Sequence, residues 1–205
     1  MHPFGKALLT LILNSVPQLL GFIAGFGVAI FAEPIRQWIY RPKVKLLFGS
    51  SQDFITSTEE FDGESKYHAK YVRLMTTNHS SHLARGCRVF LTLIERETET
   101  GRFERTQYCD SIQLAWSVRG TQTFSSIDLP NGLTQFVDVI STREHATAFQ
   151  VHVQSLPFRY ESILSQPNTY RFTCRVVGDD IEPDELRLVF RWDGEWNLFS
   201  VAPVV

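Results

Sequence analysis

Residues 170–196 read YRFTCRVVGDDIEPDELRLVFRWDGEW. In the first half Tyr170, Phe172, Cys174 and Val176 alternate with other residues, and in the second Leu186, Leu188, Phe190 and Trp192 do the same. A period of two is what a strand with one buried face produces. GDDIEPDE at 178–185 has turn chemistry, so the two halves predict an antiparallel hairpin. Asp193-Gly194, between Trp192 and Trp196, predicts a second and tighter turn.

The same pattern extends upstream. Val72, Leu74 and Thr76 alternate with Arg73 and Met75; Cys87, Val89, Leu91 and Leu93 alternate with Arg88 and Thr92; Phe149, Val151 and Val153 follow. NHSSH at 78–82, TGR at 100–102 and LPNG at 129–132 separate the runs. Residues 46–205 are therefore expected to form an antiparallel β-sandwich of seven to nine strands. Segment 50–65 is polar and acidic, and reads as a long loop or a covering edge.

Residues 1–33 follow a different rule. From Ala7 to Ala32 there are 26 residues without a charge, bracketed by Lys6 and Glu33. A spanning helix needs about 20 residues, and this run would extend roughly 39 Å. A cleaved signal peptide would have a shorter apolar core with its positive charge in front. Here the bases follow the run, at Arg36, Arg41, Lys43 and Lys45, and Trp38 and Tyr40 take interfacial positions. Residues 1–33 are thus expected to be a short tail and a transmembrane helix, and 34–45 a basic neck. With bases retained inside, the sandwich is expected in the cytoplasm, on the inner (plasma) membrane, with the N-terminus out.

The helix also has a seam. Asn14, Gln18, Gly21, Gly25, Val28 and Ala32 recur at alternating steps of four and three. Lipid gives no apolar drive to association, so close approach at small residues and side-chain amide bonds must supply it. An amide facing hydrocarbon would lack partners. The seam therefore predicts a homo-oligomer or pairing with another membrane protein.

Two stretches are similar to a known kind of domain. SQPNTYRFTCRVVGDD at 165–180 resembles the turn-and-strand of bacterial immunoglobulin-like and CARDB-like sandwiches. YVRLMTTNHSSHLARGCRVFLT at 71–92 resembles their early hairpin, with Asn78 leaving the strand and Ala84 packing back. Asn168 stands where those domains usually carry glycine. The resemblance implies an immunoglobulin-like architecture, in a family whose members serve mostly in binding and assembly; it implies no reaction.

With 205 residues, 43% hydrophobic and 20% charged, and a net charge of -2, the chain is neither disordered nor a basic nucleic-acid binder. Its three cysteines exclude a disulfide-dense scaffold. Cys87 and Cys174 fall on inward positions, where a cross-sheet bridge is conceivable, but a cytoplasmic domain would keep them as reduced core residues. His79-x-x-His82 lacks the second half of a metal motif and reads as a turn. No phosphate-binding loop, nucleophile elbow or dinucleotide fingerprint is present, so neither a cofactor, a metal nor an enzymatic activity is expected.

The remaining candidates are Arg171, Arg175, Arg187 and Arg191, all on the outward parity of the hairpin. A hairpin centred on the turn would oppose Arg175 to Arg187 and Arg171 to Arg191. Opposed like charges are unfavourable without an anion over them. From Leu46 onward the chain holds 15 Lys+Arg and 21 Asp+Glu, so its own acids compete with any anionic ligand. Three functional classes follow. The first is a non-enzymatic membrane-anchored binding or sensor module. The second is a membrane-disrupting effector of bacterial antiviral defence, triggered by a ligand such as a nucleotide. The third is a small structural subunit of a membrane complex.

Overall fold

The computed structural model describes Ala32 and residues 41–108, 110–117, 123–155, 160 and 164–204. The expected membrane helix, with Lys6, Asn14, Gln18, Gly21, Gly25 and Val28, lies outside these residues, as do Arg36, Trp38 and Tyr40. Ala32 is helical and exposed. Among the described residues no helix is long and apolar enough to cross a membrane. The chain divides into two units, and the second, Pro42–Val205, holds every described strand.

That unit is mainly β. The strands are β1 (Val44–Leu47), β2 (Ile55–Asp62), β3 (Ser65–Asn78), β4 (Ala84–Glu97), β5 (Phe103–Arg105), β6 (Ile112–Gln113) and β7 (Ala115–Trp116). Then come β8 (Ile127–Leu129), β9 (Thr134–Arg143), β10 (Gln150–Val151), β11 (Asn168–Val177), β12 (Asp184–Glu195) and β13 (Leu198–Pro203). They form two antiparallel sheets. One runs β1-β3-β9-β10, with β2 also on β3 and β7 also on β9. The other runs β13-β12-β11-β4-β5, with β6 and β8 also on β4. The inner faces meet in a single core: Val72, Leu74 and Val137 from one sheet, Leu91, Cys174, Phe190 and Trp192 from the other. This is the sandwich-like arrangement that the alternation predicts.

Four details depart from the sequence reading. Among the described residues there are thirteen strands rather than seven to nine, because several pieces are only two or three residues long and too short to show a period. Segment 50–65 contains β2, an edge strand paired along its whole length to β3, so the covering-edge alternative holds. The last turn is not at Asp193-Gly194. Glu195 pairs with Leu198, so Trp196 and Asn197 form the turn, and Asp193-Gly194 is an insertion where the β12–β13 register slips. Gly194, at φ 91°, takes the backbone conformation that this slip demands.

The fourth departure is the hairpin register. The expected pairing is shifted by two residues: Arg175 faces Glu185, Thr173 faces Arg187, and Thr169 faces Arg191. Asp184 and Glu185, acidic enough to read as turn, enter the strand because tertiary partners hold them. The Asp184 carboxylate accepts from Lys45 Nζ at 2.6 Å and from the Leu46 backbone N–H at 2.9 Å. Ile181 is buried, and Glu182 N–H donates to Pro42 O at 3.2 Å. Docking on β1 thus shortens the turn. A slip of two leaves every side chain on its face, so the arginines remain outward although their opposition is gone.

Asn78 shows why the β3–β4 corner is fixed. Its side chain is buried and donates to His82 O at 2.7 Å and Leu129 O at 2.8 Å, while its Oδ1 accepts from Ser80 N–H at 3.0 Å and Ser80 Oγ at 2.7 Å. All the hydrogen-bonding capacity of a buried amide is used. Ala84 then enters β4 fully buried, and His79 and His82 stand exposed in the turn.

Candidate functional site

The outer face of the β4–β11–β12 sheet carries the four arginines, and each is placed beside an acid of its own domain. Arg171 Nε donates to Glu95 Oε2 at 2.6 Å, and its guanidinium lies 4.5 Å from the centre of the Phe103 ring. Arg187 reaches Glu185 Oε1 through Nε at 3.2 Å and Nη2 at 3.1 Å. Arg191 lies 3.7 Å from Asp193, and Arg175 is directly across from Glu185. The opposition that would have required an external anion is therefore absent.

Glu95 reaches Arg171 because of a bulge. Thr173 pairs with Leu93 and Cys174 with Leu91, which leaves Thr92 as an extra residue on β4. Before it, odd residues point inward; after it, Ile94 takes the core position and Glu95 turns outward. Thr92 Oγ1 donates to Thr173 O at 3.1 Å and ties the bulge to β11. The Arg171 hydrogen bond and charge hold the Glu95 carboxyl below the usual carboxylate range, against a smaller opposing effect of burial.

The second cluster, on the outer face of the other sheet, is richer, and the sequence reading did not find it. Tyr67 and Tyr71 of β3 both donate to Glu60 of β2, Tyr67 at 2.7 Å. Arg143 of β9 lies 3.4 Å from the same carboxylate. One step along, Asp138 accepts from Arg73 Nε at 2.9 Å and from Ser117 Oγ at 2.6 Å. His152 packs its ring 5.1 Å from that of Tyr71 and shares a 2.8 Å hydrogen bond with Ser141. The available signal was the odd-numbered run Tyr67, Tyr71 and Arg73. Its partner Glu60 sat in a segment read as loop or edge, so the cross-strand pairing was invisible.

Burial alone would raise the Glu60 carboxyl, but the hydroxyls of Tyr71 and Tyr67 and the Arg143 charge outweigh it and hold it low. Burial and Glu60 push the Tyr71 phenol up. Burial also pushes the His152 imidazole below its ordinary value; Asp138 and Glu60 pull upward while Arg143 and Arg73 reinforce the depression. The phenol stays protonated and the imidazole neutral at neutral pH, so both act as fixed hydrogen-bond partners.

A pH dependence follows. Between the depressed folded value of His152 and about 6.5 the unfolded chain binds the extra proton, so stability falls as pH is lowered through that window. Thermal unfolding at pH 7 and pH 5 is expected to show this loss, and His152→Gln to flatten it. An unaltered slope in the variant would sink the assignment.

Cys87 and Cys174 are free and buried. They belong to adjacent strands of one sheet, not to opposite sheets: Cys174 pairs with Leu91, four residues from Cys87 along β4. That spacing, roughly 13 Å, forbids a bridge. Burial pushes the Cys87 thiol up to about 11 and the Cys174 thiol up to about 12, so neither is a nucleophile. Arg41, Lys43 and Lys45 are exposed, with Lys43 in an isolated parallel backbone β-bridge to Glu182 and Lys45 within β1. Lys45 is thus engaged by Asp184 as part of the sandwich. An open hollow of about 500 Å³ on β2 and β3 is lined by Ser57, Thr58, Glu59 and His68, walls better suited to water than to an apolar ligand. Among the described residues no group of three His, Cys, Asp or Glu side chains could hold a metal ion. No family model and no curated protein matches the chain.

Proposed function

We propose that this chain is a non-enzymatic, single-pass membrane protein. In this reading residues 7–32 cross the inner membrane, the N-terminus lies outside, and an immunoglobulin-like or CARDB-like sandwich binds a partner in the cytoplasm. The observation that carries the proposal is the uncharged run of 26 residues with its bases concentrated behind it, leading directly into a two-sheet domain. The described polar clusters support binding over catalysis, because their acids, bases and hydroxyls are bonded to one another. A small anionic ligand on Arg171, Arg175, Arg187 and Arg191 has less support than a protein partner, since Glu95, Glu185 and Asp193 already stand beside them.

A second reading, the membrane-disrupting effector, draws on Asn14 and Gln18. Amides in a passive tether serve no purpose, whereas in a ring of helices they would line the axis. Replacing both with leucine is expected to weaken helix association by about 1–2 kcal/mol, roughly tenfold, while insertion survives. Crosslinking in membranes measures it. If overexpression of the parent is toxic, the effector reading expects the double variant to be harmless; parental harmlessness under every inducing condition removes that reading. Protease added outside spheroplasts should leave the sandwich intact, and its digestion would overturn the topology.

A further inference from the structure

β13 is the outermost strand of its sheet, and no described strand pairs with its far side. Val204 N–H donates to Arg187 O at 2.9 Å, which makes those two residues a hydrogen-bonded pair. Such pairs alternate along an antiparallel ladder, so Ala202 and Ser200 also bond toward β12. The N–H and C=O groups of Phe199 and Val201, and the C=O of Pro203, therefore point off the sheet. Pro203 sits where its missing N–H costs no bond to β12.

Exposed edges normally carry charge, which discourages pairing. β1 has Lys45, β2 has Glu59 and Glu60, and β5 has Glu104 and Arg105. β13, LFSVAP, has none, and Leu198 and Val204 are 50% and 40% exposed.

We propose that β13 pairs antiparallel with β13 of a second copy of this chain, about a twofold axis through Ser200, so that two seven-stranded sheets become one. The strand is complementary to itself in that register. Phe199 meets Val201 of the second copy on the inner face, an aromatic against a β-branched side chain. Leu198 meets Ala202 on the outer face, large against small, and Ser200 meets its own counterpart. Phe199 and Val201 exchange both backbone bonds twice, giving four hydrogen bonds. A slip of two one way sets the Phe199 carbonyl against Pro203, which has no N–H to give. A slip the other way demands the Asn197 turn, whose carbonyl lies 3.4 Å from Lys70 Nζ. The contact also closes on itself: the β13 edge of each copy is consumed by the other, so this pairing gives a dimer and not a filament.

A pairing this short is weak in free solution, and confinement of two anchors in one bilayer raises the effective concentration; in this respect the inference rests on the proposed membrane anchor. The test uses the full chain in membranes, with the third cysteine replaced (Cys109→Ser), since Cys87 and Cys174 are buried. Ser200→Cys places two thiols at a pair whose Cα atoms are about 4.5 Å apart, within disulfide reach. Ala202→Cys places them about 13 Å apart. Mild oxidation should give a covalent dimer with Ser200→Cys and at least tenfold less with Ala202→Cys. Adding Val201→Pro, which removes an N–H pointing off the sheet, should lower the Ser200→Cys dimer at least tenfold. Equal yields at positions 200 and 202, or capture of Ser200→Cys by a different protein alone, overturn the proposal. Asn14→Cys, oxidised in the same membranes, reads the helix contact separately, so failure of either interface is seen on its own.

Discussion

Phe149→Ala is expected to destabilise the sandwich by about 4 kcal/mol, the middle of the range for removing a buried aromatic side chain. Phe149 is 3% exposed and stands at the centre of a ring of aromatics. Its centroid lies 5.2 Å from that of Tyr170, 6.1 Å from Phe172, 4.9 Å from Phe190 and 5.9 Å from Trp192, all in edge-to-face arrangements. Those partners belong to β11 and β12, whereas Phe149 immediately precedes β10 of the other sheet. Its removal empties the space where the two sheets meet, and four rigid rings cannot collapse into it without leaving their rotamers. Phe61→Ala is the matched control: Phe61 is 69% exposed on β2, and its loss should change stability by less than about 0.5 kcal/mol. Thermal or denaturant unfolding of both variants followed by tryptophan fluorescence decides the matter. A loss below about 1 kcal/mol for Phe149→Ala would mean that the aromatic ring does not hold the sheets together.

Glu95→Ala is expected to cost about 2 kcal/mol, because it leaves a part-buried guanidinium without its carboxylate. The Arg171 side chain is 24% exposed and that of Glu95 11%, so water screens the pair only partly. Phe103 stacks on one face of the guanidinium at 4.5 Å and favours its present position. The cost should therefore belong to the abandoned charge more than to the lost bond. Arg171→Met in the Glu95→Ala background would then recover most of the stability, and a double-mutant cycle should give a coupling energy above about 1 kcal/mol. Additive effects would place the two side chains in independent environments and remove the bulge argument with them. The pair also contributes to acid sensitivity. Because the folded Glu95 carboxyl is held low, the stabilisation is complete above the unfolded value near 4.3 and is lost as pH falls through the lower folded value. Glu95→Ala should be less sensitive to pH below about 4 than its parent, in the direction opposite to a gain of proton by the fold.

The two variants bear differently on what was legible in the sequence. Phe149 was readable as an inward position by alternation with Val151 and Val153, since a period of two depends only on local backbone geometry. Its place among four rings was not, because those rings arrive from residues 170–192. Glu95 was unreadable on both counts. Extrapolating the odd parity of Cys87, Val89 and Leu91 points it inward, and only the extra residue at Thr92 reverses it. A single inserted residue leaves no compositional mark, yet it exchanges the two faces of every residue beyond it. The Glu60 cluster failed for a related reason. A strand of TSTEEFD composition has no apolar alternation, and it is held on β3 by its backbone and by two tyrosine hydroxyls rather than by an apolar face.

By itself the sequence determined the strand-rich character of residues 46–205, the two-sheet arrangement and the inward parity of the central strands. These are properties of neighbours along the chain: which residues are apolar, at what period, and where turn residues interrupt them. Tertiary structure alone decided the register of the β11–β12 hairpin, the position of the β12–β13 turn, the placing of Glu95 beside Arg171 and the open edge at β13. The hairpin register and the acid beside Arg171 depend on partners distant in sequence. Asp184 is drawn into its strand by Lys45 and Leu46 from 138 or more residues away. Local periodicity fixes which face a residue shows until a bulge reverses it, and only the assembled sheets fix where bulges fall and what each side chain meets.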